Sequence, residues 1–149
     1  MLTNKGKYGL KAMMHLAGMP QGRPALVADI AAANKIPKKF LDAILGELRN
    51  AGFVHSKKGR GGGFVLARPA TAIMAGQIVR ALDGPLAPIA CASRAFYRPC
   101  EDCAPEKPCG VRRLMIEARD AIAAVLDNCS LAQMRVLAEA DPADLMYHI

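Results

Sequence analysis

The sequence predicts a mainly helical chain with one small β-hairpin, in the α+β class. Three observations carry that expectation. Apolar residues recur at helical spacing through most of the chain. The period changes to that of strands only between residues 53 and 66, on either side of a glycine-rich turn. Hydrophobic residues make up 52%, so a packed core is expected. Aromatics are only 5% with no Trp, so that core must rest on Leu, Ile, Val, Ala and Met.

The elements follow in order. A first helix is expected from Asn4 to Ala17, capped by Thr3, with Leu10, Met13, Met14 and Ala17 on one face. Gly18 to Pro24 breaks it. A short second helix fits Val27 to Ala33, with Asp29 in the first turn, where a negative charge suits the helix dipole. Asn34 is expected to end it in the left-handed conformation. Pro37 then sits at the first position of a third helix, where a missing N–H costs nothing. That helix shows Phe40, Leu41, Ile44, Leu45 and Leu48 along one face and stops at Ala51-Gly52. Phe53 to Ser56 and Phe64 to Leu66 read as strands. Lys57 to Gly63 joins them as a cationic, glycine-rich tip.

A helix, a helix-turn-helix and a basic hairpin make the order of a winged helix-turn-helix domain, expected over residues 1–68. A short connecting helix, Met74 to Leu82, is expected within 69–85. Residues 86–109 form a loop rich in Pro, Cys and charge, too long for an idle connector. Residues 110–140 supply a long helix from Gly110 to about Asp127. A last short helix follows, with Ser130 and Gln133 as its capping box. The tail after Asp141-Pro142 is expected to be loosely ordered.

No apolar run has the length of a membrane span. Lys5, Lys7 and Lys11 interrupt the N-terminus, which does not read as a signal peptide. The expectation is a cytoplasmic protein with reduced cysteines and no membrane partner. Charge is divided unevenly. Residues 1–68 hold twelve Lys/Arg and three Asp/Glu, a net of +9. Residues 69–149 hold eight and ten, a net of −2. A basic module on a mildly acidic one points to a polyanion partner.

Double-stranded DNA is the expected polyanion. A recognition helix enters the major groove at its N-terminal end, and here that end carries Lys38 and Lys39. The hairpin tip adds Lys57, Lys58 and Arg60. Gly61 and Gly62 let backbone lie close to the sugar–phosphate wall. An arginine on such a tip suits a narrow minor groove. Lys5 and Tyr8 on the first helix complete the expected DNA-binding set. The plainer alternative is a tight turn with solvated charges, but four glycines and three cations in seven residues fit it poorly. A phosphate-binding P-loop is set aside, because no Gly-Lys-Ser/Thr ending and no following helix are present.

Four of the five cysteines, Cys91, Cys100, Cys103 and Cys109, fall within nineteen residues. Thiolates so grouped suit an iron–sulfur cluster or zinc. Pro99, Pro105 and Pro108 stiffen the loop. A disulfide switch is the competing reading. Cys129 lies outside the group and reads as a small apolar residue, and His15 as packed or solvated rather than a ligand. No Ser-His-Asp set or paired carboxylates are discernible, so the chain is not expected to be an enzyme. A small redox metalloprotein is the alternative class. On the long helix, Val111, Met115, Ala118, Ile122 and Val125 alternate four and three apart. That stripe is expected to form a homodimer interface; the alternative is packing back onto its own winged domain.

Three stretches carry a resemblance: Thr3 to Leu10, Ile36 to Leu41, and Lys58 to Phe64. They are similar to the Rrf family of bacterial winged-helix transcription regulators, which includes IscR, NsrR, RirA and CymR, and the similarity extends to about residue 139. It implies a dimeric repressor on a pseudo-palindromic operator, with a cluster-binding loop before the dimerisation helix. It also implies sensing of iron, Fe–S supply, nitric oxide or redox state. Members such as CymR use no cluster and sense cysteine status through a partner. Within that resemblance Cys103 and Cys109 match the last two of three cluster cysteines, and Cys91 the first. The fourth ligand positions of IscR and NsrR fall on Arg112 and Tyr8, neither of which matches. Cys100 is additional and implies an all-cysteine site for a 2Fe–2S or 4Fe–4S cluster, with zinc or no cofactor as alternatives.

Overall fold

The computed structural model describes residues 2–104 and 107–140. Its helices are α1 (Asn4–Gly18), α2 (Val27–Asn34), α3 (Lys38–Asn50), α4 (Ala75–Asp83), α5 (Gly110–Leu126) and α6 (Leu131–Glu139). Strands β1 (Val54–Lys57) and β2 (Gly63–Leu66) form one antiparallel hairpin. Single 3-10 turns occur at Ala70–Ala72 and Ala90–Ala92. The expected α+β class is the observed one. The tail beyond residue 140, and Pro105, lie outside the described residues.

The helix ends show how local chemistry sets the frame. The Thr3 hydroxyl accepts from the Gly6 N–H, so it caps α1 as expected. Its backbone N–H also donates to Asp83 at 2.8 Å, which ties the start of α1 to the end of α4. The end of α2 differs from the expectation: Lys35, not Asn34, is left-handed, at φ +52°. The Asn34 amide instead donates to the Ile30 carbonyl at 2.9 Å. That bond keeps Asn34 helical and passes the left-handed turn to the next residue. Pro37 caps α3 from outside rather than opening it. At the start of α4 the Met74 N–H donates to the Gln77 side chain, and at α6 Ser130 and Gln133 form the expected reciprocal box.

The core gathers Met13 and Leu16 of α1, Ile30 of α2, Leu41, Ile44, Leu45 and Leu48 of α3, Val54 of β1 and Ile78 of α4. Leu131 of α6 is fully buried in the same core, so the last helix folds back onto α1. Each such side chain contributes about 1.5–3 kcal/mol of transfer free energy. Phe40 is a correction. The spacing places it on one face with Leu41, Ile44, Leu45 and Leu48, but it is 64% exposed whereas those four are buried. At about 100° per residue the buried arc runs from Ile44, roughly 40° from Phe40, to Leu45, roughly 140° from it, so Phe40 lies just off its edge.

In the hairpin Val54 faces Leu66, and Lys57 faces Gly63. Phe64 also exchanges two backbone hydrogen bonds with Ala25, which anchors β2 to the entry of α2. The tip explains its own glycines. Gly59 and Gly61 have φ of +94° and +72°. A Cβ on Gly62 would strike the Lys57 carbonyl oxygen, and one on Gly63 the Ala25 carbonyl oxygen. The glycine count is therefore required by the turn, and the case for a polyanion rests on the cations.

α5 stands apart. None of its residues is buried, and its main contacts are with α4 and the 3-10 turn at Ala90–Ala92. A two-pronged Arg80–Asp127 ion pair joins it to α4. Among the described residues no helix is long and apolar enough to cross a membrane.

Candidate metal centre and nucleic-acid interface

The four loop cysteines converge. Cys91, Cys100, Cys103 and Cys109 line one cavity of about 560 Å³. They reach it by different routes. Cys91 sits in the Ala90–Ala92 turn and is 4% exposed. Cys109 is the N-cap of α5, and its Sγ accepts from the Arg112 N–H at 3.4 Å. Cys100 and Cys103 hang on the intervening loop, half-exposed and exposed. The Cys100 and Cys103 thiols lie close together in space, and Cys91 and Cys109 face the same cavity from the turn and from the start of α5. The Asp102 carboxylate lies with the Cys100 and Cys103 sulfurs in a group no more than 4.8 Å across.

Their protonation follows from these surroundings. Burial and then the Cys100 neighbour push the Cys91 thiol up. Cys100 is drawn down by Cys91, but Cys103, burial and the Asp102 charge outweigh that and raise it. Cys103 is drawn down by Cys100 yet raised overall by burial and by Cys109 and Asp102. Cys109 alone is lowered, because the Arg112 and Val111 N–H groups at the start of α5 favour its thiolate.

The wall of the cavity is basic. Lys107, Arg112 and Arg113 line it beside Tyr97. The Arg112 Nε donates to the Cys91 carbonyl at 2.9 Å, and its guanidinium lies 5.2 Å over the Tyr97 ring. Arg119, 13% exposed, donates to the Ala92 carbonyl and pairs with Asp120, which also holds Arg94 at 2.9 Å. Two α5 arginines thus fasten the Cys91 turn to α5. Four convergent thiols with cations around them are a donor set that fits an iron–sulfur cluster, whose thiolate charge those cations offset. The same four sulfurs suit tetrahedral zinc.

Cys129 does not join the group. It is half-buried, and its thiol donates to the Ser130 carbonyl at 3.8 Å. His15 Nδ1 faces the Asn34 amide at 3.3 Å, a packing role. Tyr8 is partly buried against the core.

The expected DNA-binding cations divide into two sets. Lys5 pairs with Glu47 at 3.0 Å, Lys38 with Asp42 at 3.1 Å, and Lys57 donates to the Gly22 carbonyl at 3.1 Å. Lys39, Lys58 and Arg60 are exposed and have no ion pair or hydrogen bond among the described residues. Gly61 and Gly62 lie in the turn of the tip between Arg60 and Gly63.

On α5, Val111 and Val125 are 63% and 68% exposed and Ile122 is 36% exposed, while Met115 and Ala118 are half-buried. The sequence reading missed Leu114, 60% exposed on the same face. Its spacing, three after Val111 and four before Ala118, was the available signal. The reading also missed Asp102 as a neighbour of the thiols and Arg119 as a tie between α5 and the Cys91 turn. Beside the stripe, Leu2, Val79, Leu86, Ile122, Val125 and Leu126 line an apolar groove of about 620 Å³.

Comparison with known proteins agrees with this architecture. The chain is 38% identical over 148 residues to an rrf2-like HTH-type transcriptional regulator of Rhodobacter capsulatus, covering 96% of each. It is 34% identical over 99% of each chain to the HTH-type transcriptional regulator CymR of Bacillus subtilis. The structure of that protein, described as the global cysteine regulator, superimposes with a TM-score of 0.75 over 95% of this chain and 98% of the other. The IscR of T. potens superimposes with a TM-score of 0.73 at 28% identity, over 99% and 96%. Residues 2–136 match the family described as Rrf2, iron-dependent transcriptional regulator, and the chain belongs to that family of regulators.

Proposed function

We propose that the protein is a cytoplasmic, dimeric repressor whose grip on a pseudo-palindromic operator is set by an iron–sulfur cluster on Cys91, Cys100, Cys103 and Cys109. The observation that carries this is the convergence of all four thiols on one basic-walled cavity. The cluster, when bound, supplies chemistry sensitive to oxidants, nitric oxide and iron supply. The chain's residues do the rest. Cys91 and Cys109 offer ligands held on α5 and its adjoining turn. Cys100 and Cys103 close the site from the loop, and Arg112 occupies the place where IscR carries a ligand.

DNA is engaged by the first turn of α3, through Lys38 and Lys39. The wing engages it through Lys57, Lys58 and Arg60, with Gly61 and Gly62 allowing close approach. Lys5 and Tyr8 support this face from α1. Two copies meet through the α5 face of Val111, Met115, Ala118, Ile122 and Val125.

Anaerobic purification tests the reading. Protein carrying iron and acid-labile sulfide, with single alanine variants of Cys91, Cys103 or Cys109 losing both, supports it. Cys100→Ala should lose the cluster or hold it labile, and Cys129→Ala should retain it. Identical operator affinity with and without the cluster would rule out the switch. A second reading is a cluster-free thiol sensor, favoured by the proximity of the Cys100 and Cys103 sulfurs and by the similarity to CymR. Metal-free protein with reversible, thiol-dependent DNA binding would establish that one, and stoichiometric zinc without sulfide would make the site structural.

A further inference from the structure

A single exposed apolar side chain ordinarily needs no explanation. Phe40 is different because of where it stands. It is the third residue of α3, directly after Lys38 and Lys39, and is 64% exposed. Ala43, also exposed, lies about 60° around the helix from it, so the two share the outer face of the first turns. The polar side chains around them are already engaged. Asp42 holds Lys38, and Glu47 holds Lys5. Besides the exposed Lys38–Asp42 pair, α3 presents outward near its start one cation without a partner among the described residues, Lys39, and two apolar groups.

In the major groove the apolar group on offer is the thymine C5 methyl, and Phe and Ala are side chains that contact it. The surrounding charge favours DNA over a protein as the occupant of this face, since residues 1–68 carry a net +9. We propose that Phe40, with Ala43 beside it, reads thymine methyls, so that each half-site carries thymine opposite the first turns of α3. This rests on the proposal that α3 enters the major groove and adds what it recognises there.

The test uses the full-length protein and an operator that it selects from a random duplex library. Each half-site thymine is replaced in turn by deoxyuridine, which removes only the methyl. For the wild type, deoxyuridine at one or two positions per half-site should weaken binding about fourfold each, the worth of one buried methyl. Phe40→Ala should bind the thymine operator more weakly and lose the deoxyuridine penalty at its position. Its exposure predicts an unchanged melting temperature, which is checked in parallel. Salt-dependent binding by the wild type with no deoxyuridine penalty anywhere overturns this inference alone. So do penalties that survive undiminished at every position in Phe40→Ala. A wild type that binds no duplex DNA overturns the α3 reading and this inference with it.

Discussion

Arg60 and Lys38 differ in one respect that their sequence positions do not reveal. Arg60 has no protein partner among the described residues, whereas the Lys38 ammonium is shared with Asp42 at 3.1 Å. An exposed i,i+4 pair is worth only a few tenths of a kcal/mol, about 0.3–0.5. It still lowers the charge available to a phosphate. Arg60→Ala is therefore expected to reduce the slope of log affinity against log salt by about 0.9, and Lys38→Ala by less. Titrations at several salt concentrations measure both, and unchanged slopes would remove the wing and α3 from the interface. At this scale much was legible. Thr3, Ser130 and Gln133 could be placed because capping depends on two or three adjacent residues, and Asp29 because a first-turn acid depends only on where the helix starts. Phe40 and Lys35 could not, because each depends on a choice between neighbours. Phe40 stands at the edge of an apolar arc, and the left-handed turn moved to Lys35 because Asn34 bonded back to Ile30.

The cysteine loop shows what element-scale reading gives and omits. Four cysteines at short spacing mark a candidate site without any knowledge of the fold. Which of them are held in advance depends on where the Ala90–Ala92 turn lands against α5, and sequence spacing carries no such information. Arg112 and Arg119 fasten that turn through the Cys91 and Ala92 carbonyls. Ligation would then order chiefly the segment holding Cys100 and Cys103, a narrower order–disorder switch than one involving the whole loop. In metal-free reduced protein, iodoacetamide should label Cys100 and Cys103 well before Cys91. Arg119→Gln should accelerate Cys91 selectively, as read by mass spectrometry; equal rates at all three in the wild type would contradict the arrangement. The Arg80–Asp127 link between α4 and α5 makes a second prediction. Its hydrogen bond to Arg80, outweighing burial, holds the Asp127 carboxyl below the ordinary carboxylate range. A lowered folded value means that the stabilisation is present above that range and lost as pH falls through the folded value. The difference in melting temperature between wild type and Asp127→Asn should be present at neutral pH and vanish in acid. A gap that persists in acid would assign the effect to packing.

The whole molecule poses the question of what covers α5. Its apolar period was legible, but period alone could not say whether the chain's own core would bury that face. The fold answers part of this, because α6 takes the place against α1 and leaves Val111, Leu114, Ile122 and Val125 outward. The groove beside them continues the apolar surface onto α1 and α4. A second copy of the chain presenting the same face about a two-fold axis, as proposed, would bury both stripes and would set the spacing of two α3 helices against one turn of DNA. Because the cysteine turn is fastened to α5, a change in the loop would, in the proposed dimer, reach the element that sets that spacing. Ile122→Glu and Val125→Glu place a charge in the proposed contact without touching the monomer core, so each chain should keep its helical circular dichroism. Light scattering should show a dimer for the wild type and monomers for the variants. Affinity for a full operator should fall towards that for an isolated half-site, since the second recognition helix is no longer linked to the first. Folded variants that remain dimeric and bind the full operator like the wild type would show that the copies meet through some other surface.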